Sequence, residues 1–519
     1  MKLGIDVGGT NTDAVLLDGR TVISSAKSPT TADVIGGILA SVQLATEGQD
    51  LSKVDAVLIG TTHFINAITQ VRELTPVAVI RLTTPPQTLI PMVDWPGQTR
   101  EALGNHTFVC HGGSQFDGSP LNPLDESGLK EIAARIGELG VEHIALSSVF
   151  SPVTPESEEQ AAAVIREVLP HADISSSADI GRIGLLEREN ATILNACLRP
   201  LAKDVIDGFE RVLSSLGISA PIFLSQNDGT MMGLAFARQF PIFTIASGPT
   251  NSMRGAAFLS GIEDGLVIDV GGTTSDIGML HNGFPRESTI ALSLGGVRSN
   301  FRMPDVLSLA IGGGTLVEDD GRRVGPTSVG YRLGSEALVF GGRTLTLTDI
   351  AVAAGVADIG DASAVAHLPK STVQSALNNV RERLGAAVDR AKLSASDSPV
   401  IVVGGGSALL DELPGVSRLI RPDRAEVANA VGAAFAQVGG EVDRIFTLNG
   451  RTREQVLEEA YGQAFRRAVE AGADRDTIRA VDTEDVPLSH LPDGQALRVR
   501  VKVVGEMAQR SLQQEGALR

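Results

Sequence analysis

Cysteine is almost absent from this chain of 519 residues: there are two, Cys110 and Cys197, so neither a disulfide framework nor a cysteine-held zinc or iron–sulfur site can be built within it. Aromatic residues are also scarce, with one tryptophan and two tyrosines. The net charge of −18 argues against gripping nucleic acid or an anionic membrane through bulk electrostatics. No apolar run approaches the ~18 residues of a membrane span. The apolar stretch at the N-terminus ends at Asp6 and reads as a buried strand rather than a secretory signal, so a reducing, cytoplasmic setting is expected.

Glycine and alanine are plentiful, as close helix–sheet packing in an α/β protein requires. The most informative pattern is a repeat: GIDVGGTNTDAVLL at 4–17 returns as LVIDVGGTTSDIGML at 266–280. In each copy an apolar run ends in an aspartate (Asp6, Asp269), a Gly-Gly-Thr turn follows, and a second aspartate (Asp13, Asp276) opens another apolar run. This reads as strand, tight turn, strand. Gly8, Gly9, Gly271 and Gly272 let backbone N–H groups converge on an anion such as phosphate, and Thr10, Asn11, Thr12, Thr273 and Thr274 add donors. A carboxylate cannot take phosphate directly, but Asp6 and Asp269 can hold a hydrated divalent cation that does. Two such turns half a chain apart predict a two-lobed nucleotide clamp.

A third glycine turn follows a buried strand at 399–403: Gly404, Gly405, Gly406, Ser407, placed to accept the adenosine end. Other strand ends carry polar groups where α/β ligands sit, namely Thr62 and His63 after 55–60, and Asn227 and Asp228 after 222–225. Ser247-Gly248-Pro249 reads as a helix start with N–H groups free for an anion. Residues 312–315 (GGGT) are either a ligand loop or a bend. A helix is expected over 185–216; the charge of its first turn, including Arg188, reads as solvated unless it serves a site. Residues 83–125 lack periodicity and read as a long loop, and Cys110-His111 within it lacks a third orienting group for nucleophilic catalysis. A capping box at 452–455 opens an amphipathic helix, and 497–503 alternates as a strand.

The order of these elements resembles the superfamily of actin, sugar kinases and heat-shock ATPases, and within it the hydantoinase/oxoprolinase family, specifically the A-type, ATP-binding subunit of N-methylhydantoinase. The resemblance covers about 1–440 and rests on GIDVGGTNTD (4–13), GTTHFINAI (60–68), LERENATILNACLRP (186–200), LSQNDGTMMG (224–233), TIASGPTNSMRGAAFLSG (244–261), VIDVGGTTSD (267–276) and TLTDIAVAAG (346–355). It implies an α/β fold of two ribonuclease-H-like lobes with a nucleotide cleft between them, the actin-like ATPase fold. The expected division is an N-terminal lobe at 1–184 with an α/β insertion at about 76–176, a second lobe at 185–440, and a small α/β C-terminal unit at 441–519. Leu307 stands where family members carry a histidine, and Gly406-Ser407-Ala408 departs from their GGAGP pattern.

The resemblance further implies ATP and Mg²⁺ as cofactors and ATP-dependent opening or carboxylation of a small cyclic amide or carbonyl compound. Asp6 and Asp269 are then the metal ligands; with Asp13 they form the catalytic set, and Asp276 is the counterpart of Asp13. Thr62, His63, Arg188, Asn227 and Asp228 are the substrate-side candidates. A separate B-type or other subunit, or an oligomer, is the expected partner. A small-molecule kinase, a carboxylase subunit and an ATP-driven regulatory protein of the same fold stay open as alternatives.

Overall fold

The structure, a computed structural model, describes residues 1–8, 11–29, 34–288, 292–300, 303–392, 398–448, 450–488 and 496–508. Gly9 and Thr10 lie outside them.

Two sheets dominate, and they repeat one topology. In the first, strand Lys2–Val7 pairs antiparallel with Asn11–Asp18 and parallel with Ala56–Thr61. In the second, strand Gly265–Val270 pairs antiparallel with Ser275–His281 and parallel with Val400–Val403. The registers match as well: Asp6 sits opposite Asp13, and Asp269 opposite Asp276. Each turn closes with the same backbone bond, Gly8 N–H to the Asn11 carbonyl at 3.0 Å and Gly271 N–H to the Thr274 carbonyl at 2.8 Å. Apolar runs such as Leu3, Ile5, Leu58 and Ile59 form these strands because both faces of the sheet are covered.

Two helices join the sheets. Helix Ser247–Ser260 packs Met253 and Ala256 on Val267 and Ile401 of the second sheet, while helix Ala428–Phe435 packs Ala430, Val431 and Ala434 with Val15 and Leu17 of the first. Glycines let the two helices touch: a Cβ on Gly255 would stand 1.9 Å from the Ala428 carbonyl oxygen, and one on Gly432 1.8 Å from that of Asn251.

The insertion is a four-stranded parallel sheet in the order His106–His111, Val77–Thr83, His143–Ser148, Asp173–Ser176. The long loop expected at 83–125 is thereby corrected, since it holds helix Gly97–Ala102 as well as strand His106–His111. Short polar-rich strands carry little periodicity, which hid them. Cys110 packs in this unit's core, and burial, then Asp125, pushes its thiol up to about 11, so it is no nucleophile at neutral pH.

Helix Leu185–Ser215 spans 31 residues. Its charged start is not solvated, since Arg188, Glu189 and Asn190 are buried and Glu187 is half-buried. Glu189 takes a two-pronged ion pair from Arg81 at 2.6 and 2.8 Å, with both side chains about 1% exposed.

The C-terminal stretch is not a separate unit. Strands Val438–Thr447, Ala496–Gly505 and Arg479–Pro487 extend the first sheet through Met231–Gly233, giving nine strands among the described residues. Helix Arg453–Glu470, with its capping box at Thr452 and Gln455, packs Val456, Ala460 and Ala464 into the same core as Leu3 and Ile5. The first sheet thus draws strands from both chain ends and crosses the boundaries expected at 184 and 440. Among the described residues no helix is long and apolar enough to cross a membrane.

Candidate nucleotide site

One cavity of about 360 Å³ lies where the two hairpin turns face each other. From the first hairpin it is lined by Asp6, Gly8, Asn11 and Asp13, and from the second by Asp269, Gly271, Gly272, Thr273, Thr274 and Asp276. Gly404, Gly405 and Gly406 complete the wall. Thr12 and Ser407 are buried without lining it.

The glycines are dictated by close approach. A Cβ on Gly404 would fall 2.2 Å from an Asp269 carboxylate oxygen, and the Gly406 N–H donates to the Val270 carbonyl at 2.8 Å. This third turn is therefore clamped onto the end of the second hairpin's first strand. Residues 312–314 brace that hairpin's turn: Gly313 N–H donates to the Gly271 carbonyl at 3.0 Å and Gly314 N–H to that of Gly272 at 2.7 Å. A Cβ on Gly312 would stand 2.6 Å from the Thr273 nitrogen, so this loop is scaffold for the turn, with Gly313 reaching the cavity.

Among the carboxylates around this space Asp6 and Asp13 are buried and Asp269 and Asp276 half-buried, and each is harder to ionise than usual. Burial, then Asp13, pushes Asp6 up to about 6, against a hydrogen bond from Asn429 and the nearby Asn251 amide. Burial, then Asp276 and more weakly Asp6, pushes Asp269 up to about 7. Asp13 is raised by burial and opposed by Lys27, whose ammonium lies 2.7 Å from its carboxylate; Asp276 is raised by burial and opposed by Ser308. Mutual repulsion in a dry site is what a bound cation relieves.

The fit to a divalent cation can be tested on these atoms. One Asp6 carboxylate oxygen is buried without a hydrogen-bond partner, and oxygen is the donor a hard ion takes. Among the described residues no group of three acidic, histidine or cysteine side chains makes a metal cage. Magnesium suits that poverty, because it is commonly held by one or two carboxylates and completed by phosphate and water.

Sequence reasoning missed several cavity residues. Lys27 lies across from Asp13 in the register of strand Thr21–Pro29, and Asn429 donates to Asp6 at 3.3 Å. Leu333, Phe340, Ala357 and Ile359 supply an apolar wall beside the third glycine turn. The hairpin turn at Asp18-Gly19 carried a register signal for Lys27. Nothing local marked the others.

Of the substrate-side candidates, only Thr62 lines this cavity. His63 turns to Glu73 at 3.4 Å. Arg188 is fully buried, and its guanidinium donates to Ser177 and to the Ser148, Arg182 and Gly184 carbonyls, which leaves it a structural strut. Asn227 and Asp228 line a separate cavity of about 100 Å³. Burial alone would raise the Asp228 carboxyl, but Lys502 at 2.9 Å and hydrogen bonds from Thr230 hold it at about 2.

Family models described as the hydantoinase/oxoprolinase N-terminal region and hydantoinase/oxoprolinase match residues 2–169 and 188–389. Caprolactamase subunit alpha of Pseudomonas jessenii is 28% identical over 75% of this chain and 60% of its own length. Acetophenone carboxylase gamma subunit of Aromatoleum aromaticum is 26% identical over 68% of this chain and 53% of its own. The chain thus spans some six tenths or less of these curated relatives. The crystal structure of the ATP-dependent caprolactamase from Pseudomonas jessenii superposes with a TM-score of 0.77 at 20% identity, covering 98% of this chain and 88% of that one. A nucleotide-free acetone carboxylase gives a TM-score of 0.67 at 18% identity, with the same coverage. Matched hairpins, paired lobes and these likenesses converge: the chain belongs to the hydantoinase/oxoprolinase family and has the two-lobed, actin-like ATPase fold.

Proposed function

We propose that this chain is the ATP-binding component of an enzyme that opens a small cyclic amide. The observation that carries the reading is the facing of Asp6 and Asp269 across one cavity, each at the mouth of a Gly-Gly turn. An amide carbonyl resists water because resonance feeds electrons into it. ATP supplies the phosphoryl group that overcomes this; Asp6 and Asp269 are the residues that would hold Mg²⁺, and the ion would supply charge to offset that of the phosphates. The amide oxygen bonds to the γ-phosphorus as the bond to the bridging oxygen breaks, and ADP leaves with the electron pair. Water then adds at the carbon, the C–N bond breaks with the nitrogen taking a proton, and a second water removes phosphate from the new carboxyl group.

The chain's own residues position and polarise. Asn11 and Gly272 to Thr274 offer donors to phosphate oxygens, and fixed donors are worth most in a buried site. Asp13, held by Lys27, and Asp276, held by Ser308, stand beside the metal carboxylates to orient the acceptor or the attacking water. A partner subunit supplying the hydrolytic half accords with relatives named as alpha and gamma subunits.

The acetophenone and acetone carboxylase likenesses favour a second reading, in which bicarbonate or a carbonyl oxygen receives the phosphoryl group. ADP release from the pure chain, with Mg·ATP and lactams, hydantoins or 5-oxoproline, with and without bicarbonate, separates them. Lactam-stimulated ADP release with a ring-opened product supports the first reading, and strict bicarbonate dependence the second. Undiminished ATP turnover in Asp269→Asn would reject the metal assignment.

A further inference from the structure

The cavity of about 100 Å³ that Asn227 and Asp228 line shares no described lining residue with the nucleotide cavity. Remote segments meet there: residues 178–182, the turn after strand Ile222–Ser225, the start of strand Val438–Thr447, and Arg467 from helix Arg453–Glu470. Its charges are unequally matched. Each carboxylate in the described lining already faces a cation: Asp228 has Lys502 at 2.9 Å, Asp443 has Arg498 through two bonds of 2.9 Å and Arg182 at 3.2 Å, and Glu441 has Arg500 at 3.9 Å. Arg444 and Arg467 are served differently. Arg444 donates to the Ala178 carbonyl at 2.9 Å and Arg467 to the Glu441 carbonyl at 3.0 Å, both neutral acceptors. Their closest carboxylate contact among the described residues is Asp179, 3.9 Å from Arg467 and half exposed. Burial, then Arg467, lowers Arg444 from the ordinary guanidinium value, while Asp179, Glu158 and Glu159 pull the other way. Like charges brought together away from water are relieved by a counter-ion. Asn227 gives an independent sign of one: it lines the cavity, is 5% exposed, and its amide nitrogen has no hydrogen-bond partner among the described residues. Its backbone is fixed at both ends, the N–H donating to the Phe243 carbonyl at 2.7 Å and the carbonyl accepting from Thr250 at 3.0 Å.

We infer that this cavity is a second anion site, which takes a small oxyanion between Arg444 and Arg467 with the Asn227 amide donating to it. Guanidinium forks match the oxygens of carboxylate and phosphate groups, and hydrogen bonds to a charged acceptor are the strong ones. A space of about 100 Å³ is well below the ~300–1,000 Å³ that enclose drug-sized ligands, so the guest is a group of a few heavy atoms. Phosphate, sulfate and a short carboxylate share this chemistry. The site stands apart from the phosphate turns and does not depend on the amide-opening reading.

Calorimetric titration of the full chain tests this, with inorganic phosphate, sulfate and acetate as probes and with Mg²⁺ and AMPPNP at saturation to fill the nucleotide turns. At least one probe should bind. Arg467→Gln removes one fork and Asn227→Asp turns the free donor into a carboxylate; each should weaken that binding roughly tenfold or more. Arg466→Gln, the same loss of charge on an exposed neighbour in the helix, should leave it unchanged, and all three variants should take up AMPPNP as the unaltered chain does. Tighter phosphate and sulfate assign a tetrahedral ligand, and tighter acetate a carboxylate. No binding by any of the three probes overturns the inference. So does binding that either Arg467→Gln or Asn227→Asp leaves undiminished, or that Arg466→Gln weakens equally. The variants locate the anion whether or not the chain takes up AMPPNP, so failure of the ATP-dependent reading leaves this test standing.

Discussion

Gly255 and Ala428 meet backbone to backbone, with 1.9 Å between the position a Gly255 Cβ would occupy and the Ala428 carbonyl oxygen. These residues belong to the two helices that tie the sheets together, so their contact sets how Asp6 and Asp269 face each other. Gly255→Val must push the helices apart, and overpacking of this kind costs ~1–3 kcal/mol or more. Urea unfolding should show that loss, and Mg·ATP affinity should fall with it although no nucleotide contact is touched.

Replacing Asp269 with asparagine keeps the shape and removes the charge. Loss of a fixed electrostatic group at such a site lowers turnover by about 10²–10³. ATP hydrolysis by the variant should fall by at least that much, with circular dichroism unchanged.

The same carboxylates make stability depend on pH. Asp6 and Asp269 titrate at about 6 and about 7 in the folded chain, against an ordinary 3.8. Between these limits the folded state binds more protons than the unfolded, so stability falls as pH rises from about 4 through 7. In metal-free buffer the midpoint of thermal unfolding should be lower at pH 8 than at pH 5.5. Asp269→Asn should flatten that difference, and Mg·ATP should raise the midpoint most at pH 8, because ionised carboxylates are what the ion requires.

Arg81 and Glu189 form a buried pair that fixes the insertion to the long helix. Breaking one partner leaves a charge stranded and costs ~3–5 kcal/mol. Arg81→Met should destabilise by that amount in urea, and Arg81→Met with Glu189→Leu should recover much of it.

The capping box of helix Arg453–Glu470 is a milder test of the C-terminal strands' attachment. Thr452→Ala removes the acceptor for the Gln455 N–H and should cost ~1 kcal/mol. Because this helix packs on the first sheet's core, the loss should appear in the main unfolding transition and not as a separate early one.

The amino-acid order alone determined the features whose physics is local. Asp-x-Gly-Gly turns close on themselves within four residues, so both hairpins could be read directly. The capping box at Thr452, the helix start at Ser247 and the buried strand before Gly404 follow from neighbours in sequence for the same reason. Tertiary structure decided what depends on distant partners. The C-terminal strands join the first sheet because Val438–Thr447 finds Met231–Gly233 across some two hundred residues. Arg188 and Glu189 are buried because Ser148, Ser177 and Arg81 come to meet them, and a charged helix start looks solvated until they do. Lys27, Asn429 and the apolar wall at Phe340 and Ile359 reach the cavity only once two sheets and two glycine-joined helices bring remote segments together, a result of packing that no single stretch of sequence encodes.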